Sequence, residues 1–459
     1  METALSSTDG APDMAISTRE KFAFGIGDLA SGLMWQSVGM FLMFFYTDVY
    51  GLSAAVAGSI LFVARASDAV WDLFLGYAID RTRTRWGRCR PYLLFAPPLL
   101  LVMAAATFSV PSLEGSAKLA YAYITYIGLM FAYSLANLPY CAMPALISAD
   151  PADRVRLSSW RMFMAYGAAL VVSSTMLPLV QWYGGGDKAA GFRQAILTMA
   201  VLSLLLFWFC FANTRERVDA PVHKPDFRAE LRVLLKSRAW WTLFGAAILQ
   251  FTAAALPLSS ALYFLTYVVG RAEWASGYFV TGTLGALTGV LVSSQLTRRF
   301  CKRQVVIATT AASAGLLLML PLVDMNSRAV LYAWTFGVSP CAAIKSPIIW
   351  SMVSDAADLV ELQSGRRVVG LVTSSVAFAH KFGLGVGSGL AGLLLAWFGY
   401  SAGAAQSAEA QSGITWLVST LPACLYLLLA ALYKWYPLNR VRLDALRDDL
   451  ALQRQAAVQ

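Results

Sequence analysis

Apolar residues dominate this chain in long blocks of a size set by a lipid bilayer, separated by short polar turns. Runs long enough to span occur at about 22-47, 53-79, 91-110, 117-148, 160-182, 190-212, 239-269, 273-297, 303-323, 328-354, 367-397 and 413-436. A hydrocarbon core about 30 Å thick needs roughly 20 helical residues to cross it, so each run predicts one transmembrane helix and the chain predicts twelve. The longer runs imply tilt or extension beyond the bilayer. With 58% hydrophobic and 14% charged residues, the chain exceeds what a water-soluble core of ordinary size could hide.

Charge refines this picture. The net charge of +10 comes from short turns and not from a basic face interleaved with aromatics, so nucleic acid is not an expected partner. Arg81, Arg83, Arg85, Arg88 and Arg90 follow the second run, Arg154 and Arg156 the fourth, Arg298, Arg299, Lys302 and Arg303 the eighth, and Arg366 and Arg367 the tenth. By the positive-inside rule these turns are cytoplasmic, which places both termini in the cytoplasm of a cell (inner) membrane protein. The expected organisation is a cytoplasmic tail (1-21), a six-helix half (22-212), a basic cytoplasmic linker (213-238), a second six-helix half (239-436) and a tail (437-459). The first apolar run is expected to stay as a helix and not to be a cleaved signal. A six-plus-six pattern with a basic turn after the second helix of each half suggests the parallel repeat of the major facilitator fold, with its site at mid-membrane between the halves.

The six cysteines form no C-x-x-C pair and predict neither a disulfide framework nor a zinc site. Gly387-x-Gly389-x-x-Gly392 matches a dinucleotide fingerprint, but it lies within an apolar run with no preceding strand. Close helix packing is the better reading. No hydrolase, zincin or Walker A pattern is present, so neither an enzyme nor a cofactor is expected.

Candidate chemistry lies in the polar residues inside the runs. Asp68 and Asp72 are four residues apart on one helical face, where two carboxylates repel and each is costly to place in a membrane. Such a pair calls for a cation or a proton. The plainer alternative pairs Arg65 with Asp68 and leaves Asp72 to a neighbouring helix. Asp28 lies on one face of the first run with Gly32, Trp35 and Gly39, an acid and an indole suited to a hydroxyl-rich ligand, unless Asp28 simply pairs with an arginine. Ser134, Asn137 and Cys141 share a face of the fourth run, where oxygen donors could complete a cation shell. Arg161 needs Asp28, Asp68 or Asp72 as a partner. Lys345 lies between Pro340 and Pro347, and His380 and Lys381 sit in the eleventh run, with His380 read as a core histidine.

These residues carry a resemblance. Tyr46-Thr-Asp48-Val, Arg65-x-x-Asp68-x-x-x-Asp72-x-x-x-Gly76-x-x-x-Asp80-Arg81 with its arginine-rich turn through Arg90-Pro91-Tyr92, and Asp355-x-x-Asp358 followed by Gly365-x-Arg367 resemble the glycoside-pentoside-hexuronide:cation symporter family of the major facilitator superfamily, the melibiose permease-like carriers. The resemblance spans roughly residues 20-436. It implies an all-α fold of twelve transmembrane helices and sugar uptake coupled to sodium, lithium or protons. It further implies a cation site at Asp68, Asp72 and Ser134, substrate contacts at Asp28, Trp35, Asn137, Arg161 and Lys381, and a cytoplasmic gate at Asp80, Arg81, Arg85, Arg90, Asp355, Asp358 and Arg367.

Three positions depart from the family pattern. Trp71 replaces an asparagine of the cation site, Asn137 a sugar-binding aspartate, and Cys141 a tryptophan. An indole offers only a donor N–H, so the proton becomes the favoured coupling ion. Sodium, with Asp68 and Asp72 as its ligands, is the alternative. The expectation is a monomeric symporter of a sugar or glycoside working by alternating access. A carrier of a lysolipid or other amphiphile is the alternative cargo, and a membrane receptor the alternative class.

Overall fold

The computed structural model of the protein describes residues 16–148, 150–218, 227–364, 368–438 and 442. The N-terminal six spans are α1 (Thr18–Phe44), α2 (Ala54–Arg81), α3 (Arg90–Thr107), α4 (Gly115–Ile147), α5 (Pro151–Gly184) and α6 (Lys188–Asn213). After the short α7 (Phe227–Leu235) come α8 (Arg238–Tyr263), α9 (Ala275–Arg299) and α10 (Lys302–Leu318). A tenth span is built of α11 (Arg328–Ala343) and α12 (Lys345–Ser364), an eleventh of α13 (Val369–Trp397), and a twelfth of α14 (Ala408–Val418) and α15 (Thr420–Tyr433). By length and apolarity, eleven of these stretches qualify as membrane spans. The twelfth, α10, is 17 residues long, about 26 Å of helix, and fills the ninth place in order.

Polar residues just outside the apolar runs start the helices. Ser17 caps α1 by accepting from the Glu20 N–H at 3.2 Å, and Asp187 caps α6 by accepting from the Ala189 and Ala190 N–H groups. Asp150 caps α5, with Pro151 in the first helical position, where its missing N–H costs nothing. This start precedes the apolar run expected at 160, because the first turns of α5 carry Arg154, Arg156, Ser158 and Ser159 and do not read as membrane. Glu216, beyond α6, accepts from the backbone N–H groups of Arg88, Cys89 and Arg90 at 2.7, 2.8 and 2.9 Å. It thereby caps α3 from the far side of the half, where the helix dipole favours a carboxylate.

The expectation of close packing at the α13 glycines holds. A Cβ on Gly387 would lie 2.6 Å from the Thr252 carbonyl of α8, and one on Gly392 would lie 2.4 Å from the Ala54 carbonyl of α2. Helix α13 therefore presses one glycine face on its own half and the other on the opposite half. The halves meet along α2 with α13, α5 with α9 and α1 with α8.

α1 and α8 each end in one turn of π-helix, Phe45–Val49 and Phe264–Val268. Both turns read Phe-x-Thr-x-Val and are followed by a glycine with positive φ, Gly51 at 75° and Gly270 at 72°. Tyr50 N–H donates to Phe45 O and Leu52 N–H to Tyr46 O, and Val269 and Arg271 repeat the same bonds to Phe264 and Leu265. These two π-turns are a local copy of one sequence pattern in each half.

Between described residues, polar bonds that cross from one half to the other form two layers. One lies at the π-turns, away from the basic turns. There Thr47 meets Tyr263 at 2.7 Å, and Asp48 accepts from Tyr400 at 2.6 Å and from Tyr267. Aromatic contacts of Phe41 with Phe279 and Phe44 with Tyr263 pack beneath this layer. The other layer is at mid-membrane, on Lys381.

Candidate functional site

Asp68 and Asp72 project from α2 toward Lys381 of α13, whose ammonium lies 2.8 Å from Asp68 Oδ2 and 2.5 Å from Asp72 Oδ2. Ser134 of α4 donates to Asp68 Oδ1 at 2.5 Å and lies 3.1 Å from Lys381 Nζ. The cluster thus holds two carboxylates, a hydroxyl and one ammonium, drawn from both halves. Asp68 is 2% exposed, and Asp72 Oδ1 is buried without a partner. One carboxylate oxygen is therefore free to take a cation or a proton. The sequence placed the acids and Ser134 together, while Lys381, assigned there to the substrate, lies on the acid pair.

The alternative pairing of Arg65 with Asp68 is not made. Arg65 sits 4.8 Å above the Trp35 ring, and its Nε and Nη1 are buried without hydrogen-bond partners. Gly385 of α13 is the reason the side chain fits, since a Cβ there would lie 3.1 Å from Arg65 Cβ.

A second cluster lies toward the basic end. Arg161 of α5 bonds Asp28 of α1 at 3.3 Å and lies 3.2 Å from Cys141 Sγ on α4. The guanidinium covers the Tyr140 ring at 5.0 Å, and Tyr140 donates to the Phe24 carbonyl at 2.7 Å. That ring occupies the space left by Gly27, where a Cβ would come within 2.4 Å of it. Between the two clusters, Ser31 bonds the Asn137 amide oxygen at 2.9 Å and the Tyr133 hydroxyl at 3.0 Å. Trp35 packs on Tyr133 with centroids 5.2 Å apart. Asp28, Trp35, Asn137 and Arg161 therefore line one side of the N-terminal half, as one polar strip running from α1 across α4 to α5. Tyr133 was missed by sequence reasoning, although its spacing of four residues from Asn137 places it on the same face.

Trp71 lies 44% exposed against Phe131 and Phe74 and adds no oxygen to the acid cluster. His380 stacks on Phe251 at 3.7 Å, the packing role expected for it.

Of the residues assigned to a gate, Asp80, Arg81, Arg85, Arg90 and Asp355 are held within their own halves. Asp80 pairs with Arg88 at 3.3 Å, Arg81 covers Tyr77, Arg85 covers Trp86, and Arg90 donates to the Phe211 carbonyl. Asp355 pairs with Lys302 at 2.5 Å, and Asp358 is half-buried on α12. Arg367 lies outside the described residues.

Two six-span halves joined by a charge cluster at mid-membrane define a membrane transporter of the major facilitator type. Comparison with known proteins agrees. The family model described as MFS/sugar transport protein matches residues 23–440. The inner membrane symporter YicJ of Escherichia coli (strain K12) is 34% identical over 438 residues, covering 95% of each chain. The isoprimeverose transporter of Lactiplantibacillus pentosus is 33% identical over 443 residues, covering 94% of this chain and 90% of that one. A crystal structure of a D-xylose-proton symporter superposes with a TM-score of 0.67 at 15% identity, over 91% of this chain and 98% of that one, a likeness of fold. The chain belongs to the MFS/sugar transport protein family, whose members are carriers and not enzymes.

Proposed function

We propose that the protein takes up a sugar or glycoside across the inner membrane by symport with one cation, and that this cation is a proton. The observation that carries the reading is Lys381 lying between Asp68 and Asp72 at 2.8 and 2.5 Å. A positive group of one half fills the place where a coupling cation would meet the acids of the other. A proton or ion arriving there competes with Lys381 and loosens a bond between the halves. Ligand binding that favours one arrangement of the halves over another is what alternating access requires, and the coupling between cation and sugar is reciprocal.

The sugar binds at Asp28, Asn137 and Arg161, with Trp35 close by. The carboxylate accepts from hydroxyls, the guanidinium and amide donate, and the indole offers an apolar plate. The names of the relatives, an inner membrane symporter and an isoprimeverose transporter, support this cargo. The donor set supports the proton. Two carboxylates and Ser134 give few oxygens, and Trp71 turns away to Phe131, whereas a proton needs no shell of ligands. In this reading the basic turns face the cytoplasm and the π-turn seal faces outward, so the halves are joined outside and parted inside. Uptake in energised vesicles at fixed membrane potential, with and without sodium and with a protonophore, tests the proposal. Abolition by the protonophore is expected, and sodium-stimulated uptake that ignores it overturns the proton assignment.

A further inference from the structure

At the basic end of the N-terminal half lies a cavity of about 290 Å³, lined by Ser17, Arg19 and Glu20 at the start of α1 and by Asn213, Arg215 and Arg217 at the end of α6 and just beyond it. A hydrogen-bonded network holds its walls. Glu20 is 6% exposed. Its Oε1 accepts from the Arg215 N–H at 3.0 Å and from Arg217 Nη1 at 2.9 Å, and its Oε2 accepts from Arg217 Nη2 at 2.8 Å. The Arg217 and Val218 N–H groups donate to the Leu146 carbonyl at 2.8 and 2.9 Å, which ties the segment after α6 to the end of α4. Glu216, the acid between the two arginines, reaches the other way to cap α3.

Two observations point to what this cavity takes. The first is charge. Three guanidiniums line it against one carboxylate, and Arg217 occupies that carboxylate. Arg19 and Arg215 are exposed, and among the described residues neither guanidinium has an acid paired with it. The positive end of the α1 dipole lies at the same wall. The planar donor forks of arginine match the oxygens of a phosphate. The second observation is the surface that leads up to the cavity. Leu202, Leu205 and Phe209 of α6 are 39%, 53% and 38% exposed, and with Asn213 they share one helical face by spacings of three and four. Asn213 Nδ2 donates to the Phe209 carbonyl at 2.9 Å. Helix α6 packs on α1, α3 and α5 and lies outside the helix pairs along which the halves meet, so this apolar stripe faces lipid and ends at the cavity.

We propose that this cavity holds the phosphate headgroup of an anionic phospholipid from the leaflet at the basic end of the spans, with an acyl chain lying on the α6 stripe. Arg19 and Arg215 bind the phosphate, Glu20 and Arg217 fix the segment that presents Arg215, and Leu202, Leu205 and Phe209 receive the chain. Arginines spread over a membrane-facing surface attract anionic lipid in proportion to their number, whereas a basic pocket at the boundary binds one headgroup in one place. The site is independent of the cargo and of the coupling ion.

The test is native mass spectrometry of the full-length protein stripped of lipid and titrated separately with dioleoyl phosphatidylglycerol, dioleoyl phosphatidylcholine and, as a headgroup without chains, glycerol phosphate. Wild type is expected to bind its first phosphatidylglycerol at least tenfold more tightly than either of the other two. Arg19→Gln with Arg215→Gln is expected to lower that preference at least tenfold, and Arg19→Lys with Arg215→Lys to keep part of it. Arg298→Gln with Arg299→Gln, the same loss of charge at the exposed end of α9, is expected to keep all of it. Phosphatidylcholine bound as tightly as phosphatidylglycerol by wild type overturns the proposal without needing any variant. So does an Arg19→Gln, Arg215→Gln protein of unchanged melting temperature that keeps the preference. An equal loss in the α9 variant reduces the effect to general basic charge and removes the site. Glycerol phosphate bound as tightly as the lipid replaces the lipid with a soluble phosphate compound and overturns the assignment.

Discussion

Asp48 and Tyr267 stand 219 residues apart at the same place in two copies of one π-turn, and they bond to each other across the halves. The contact is the local two-fold relation of the fold made visible in side chains, an acid in one copy facing a phenol in the other. Tyr400 and Thr47 add their hydroxyls to the same carboxylate at 2.6 Å each. Burial and the neighbouring Asp48 charge hold the Tyr400 phenol well above its usual range, so it remains a donor at all physiological pH values.

Removing one donor from this seal should loosen it. Tyr267→Phe or Tyr400→Phe takes away a hydrogen bond to a charged group, a loss of about 1.5–3 kcal/mol, and should shift the balance between joined and parted π-turns by tenfold or more. Spin labels on Ser53 and Ser401 would report it as a longer-distance population in pulsed EPR. An unaltered distance distribution in both variants would mean that the aromatic packing below holds the seal unaided.

Asp68→Asn and Asp72→Asn should each abolish gradient-driven accumulation while leaving substrate binding measurable. Each removes one acid from Lys381 and from the coupling ion, whereas the Asp28 strip is built on other helices. Concentrative uptake at the wild-type level in both variants would refute the assignment of the coupling site.

Asp28→Ala and Arg161→Ala should each weaken substrate binding by well over tenfold, since each removes a charged hydrogen-bonding group from the strip and leaves the other half-buried without its ion-pair partner. Isothermal titration with a bound sugar checks this, and affinities within twofold of wild type would place the site elsewhere.

Gly392→Ala should destabilise the protein by about 1–3 kcal/mol, because the new methyl meets the Ala54 carbonyl and the Gly58 backbone, neither of which can rotate away. A lowered melting temperature in detergent is the readout. Gly370→Ala, where a Cβ meets nothing within 4 Å, is the control.

Cys89 should resist maleimide in the folded protein at pH 7–8. It is 1% exposed, and burial together with the Glu216 carboxylate pushes its thiol up to about 12, so the reactive thiolate is scarce below that pH. Mass spectrometry before and after denaturation checks this. Labelling of the native protein at Cys89 as fast as at Cys301, half-buried in the turn between α9 and α10, would contradict the cap around Glu216.

Much of this was legible in the sequence because membrane helices obey a simple length rule. Asp68 and Asp72 could be grouped because they share a helical face and a charge in lipid demands company, while Ser134 joined them through the family resemblance. Lys381 could not be placed on them by spacing, since it lies 309 residues from Asp72 and its direction depends on which face of α13 carries the packing glycines. The Asp48 seal was hidden for a related reason. The Phe-x-Thr-x-Val pattern recurs in both halves, but the residues it brings together differ, an acid and a tyrosine, so a search for like residues passes over it. The burial of Lys345 was equally unreadable. Pro340 and Pro347 mark a kink in the tenth span without saying that the lysine between them turns inward.

The single open oxygen on Asp72 has an electrical consequence. Lys381 holds one oxygen of each acid and Ser134 the second oxygen of Asp68, so in the proton-symport reading the cluster takes up one elementary charge, and voltage would act on the carrier through that charge. A neutral sugar entering with one proton would generate a current and gain about 2.3 kcal/mol per 100 mV from the membrane potential, close to a fiftyfold concentration ratio. An acidic sugar entering with the same proton would move no net charge, its accumulation would follow the pH difference alone, and collapsing the voltage with potassium and valinomycin would leave its uptake intact.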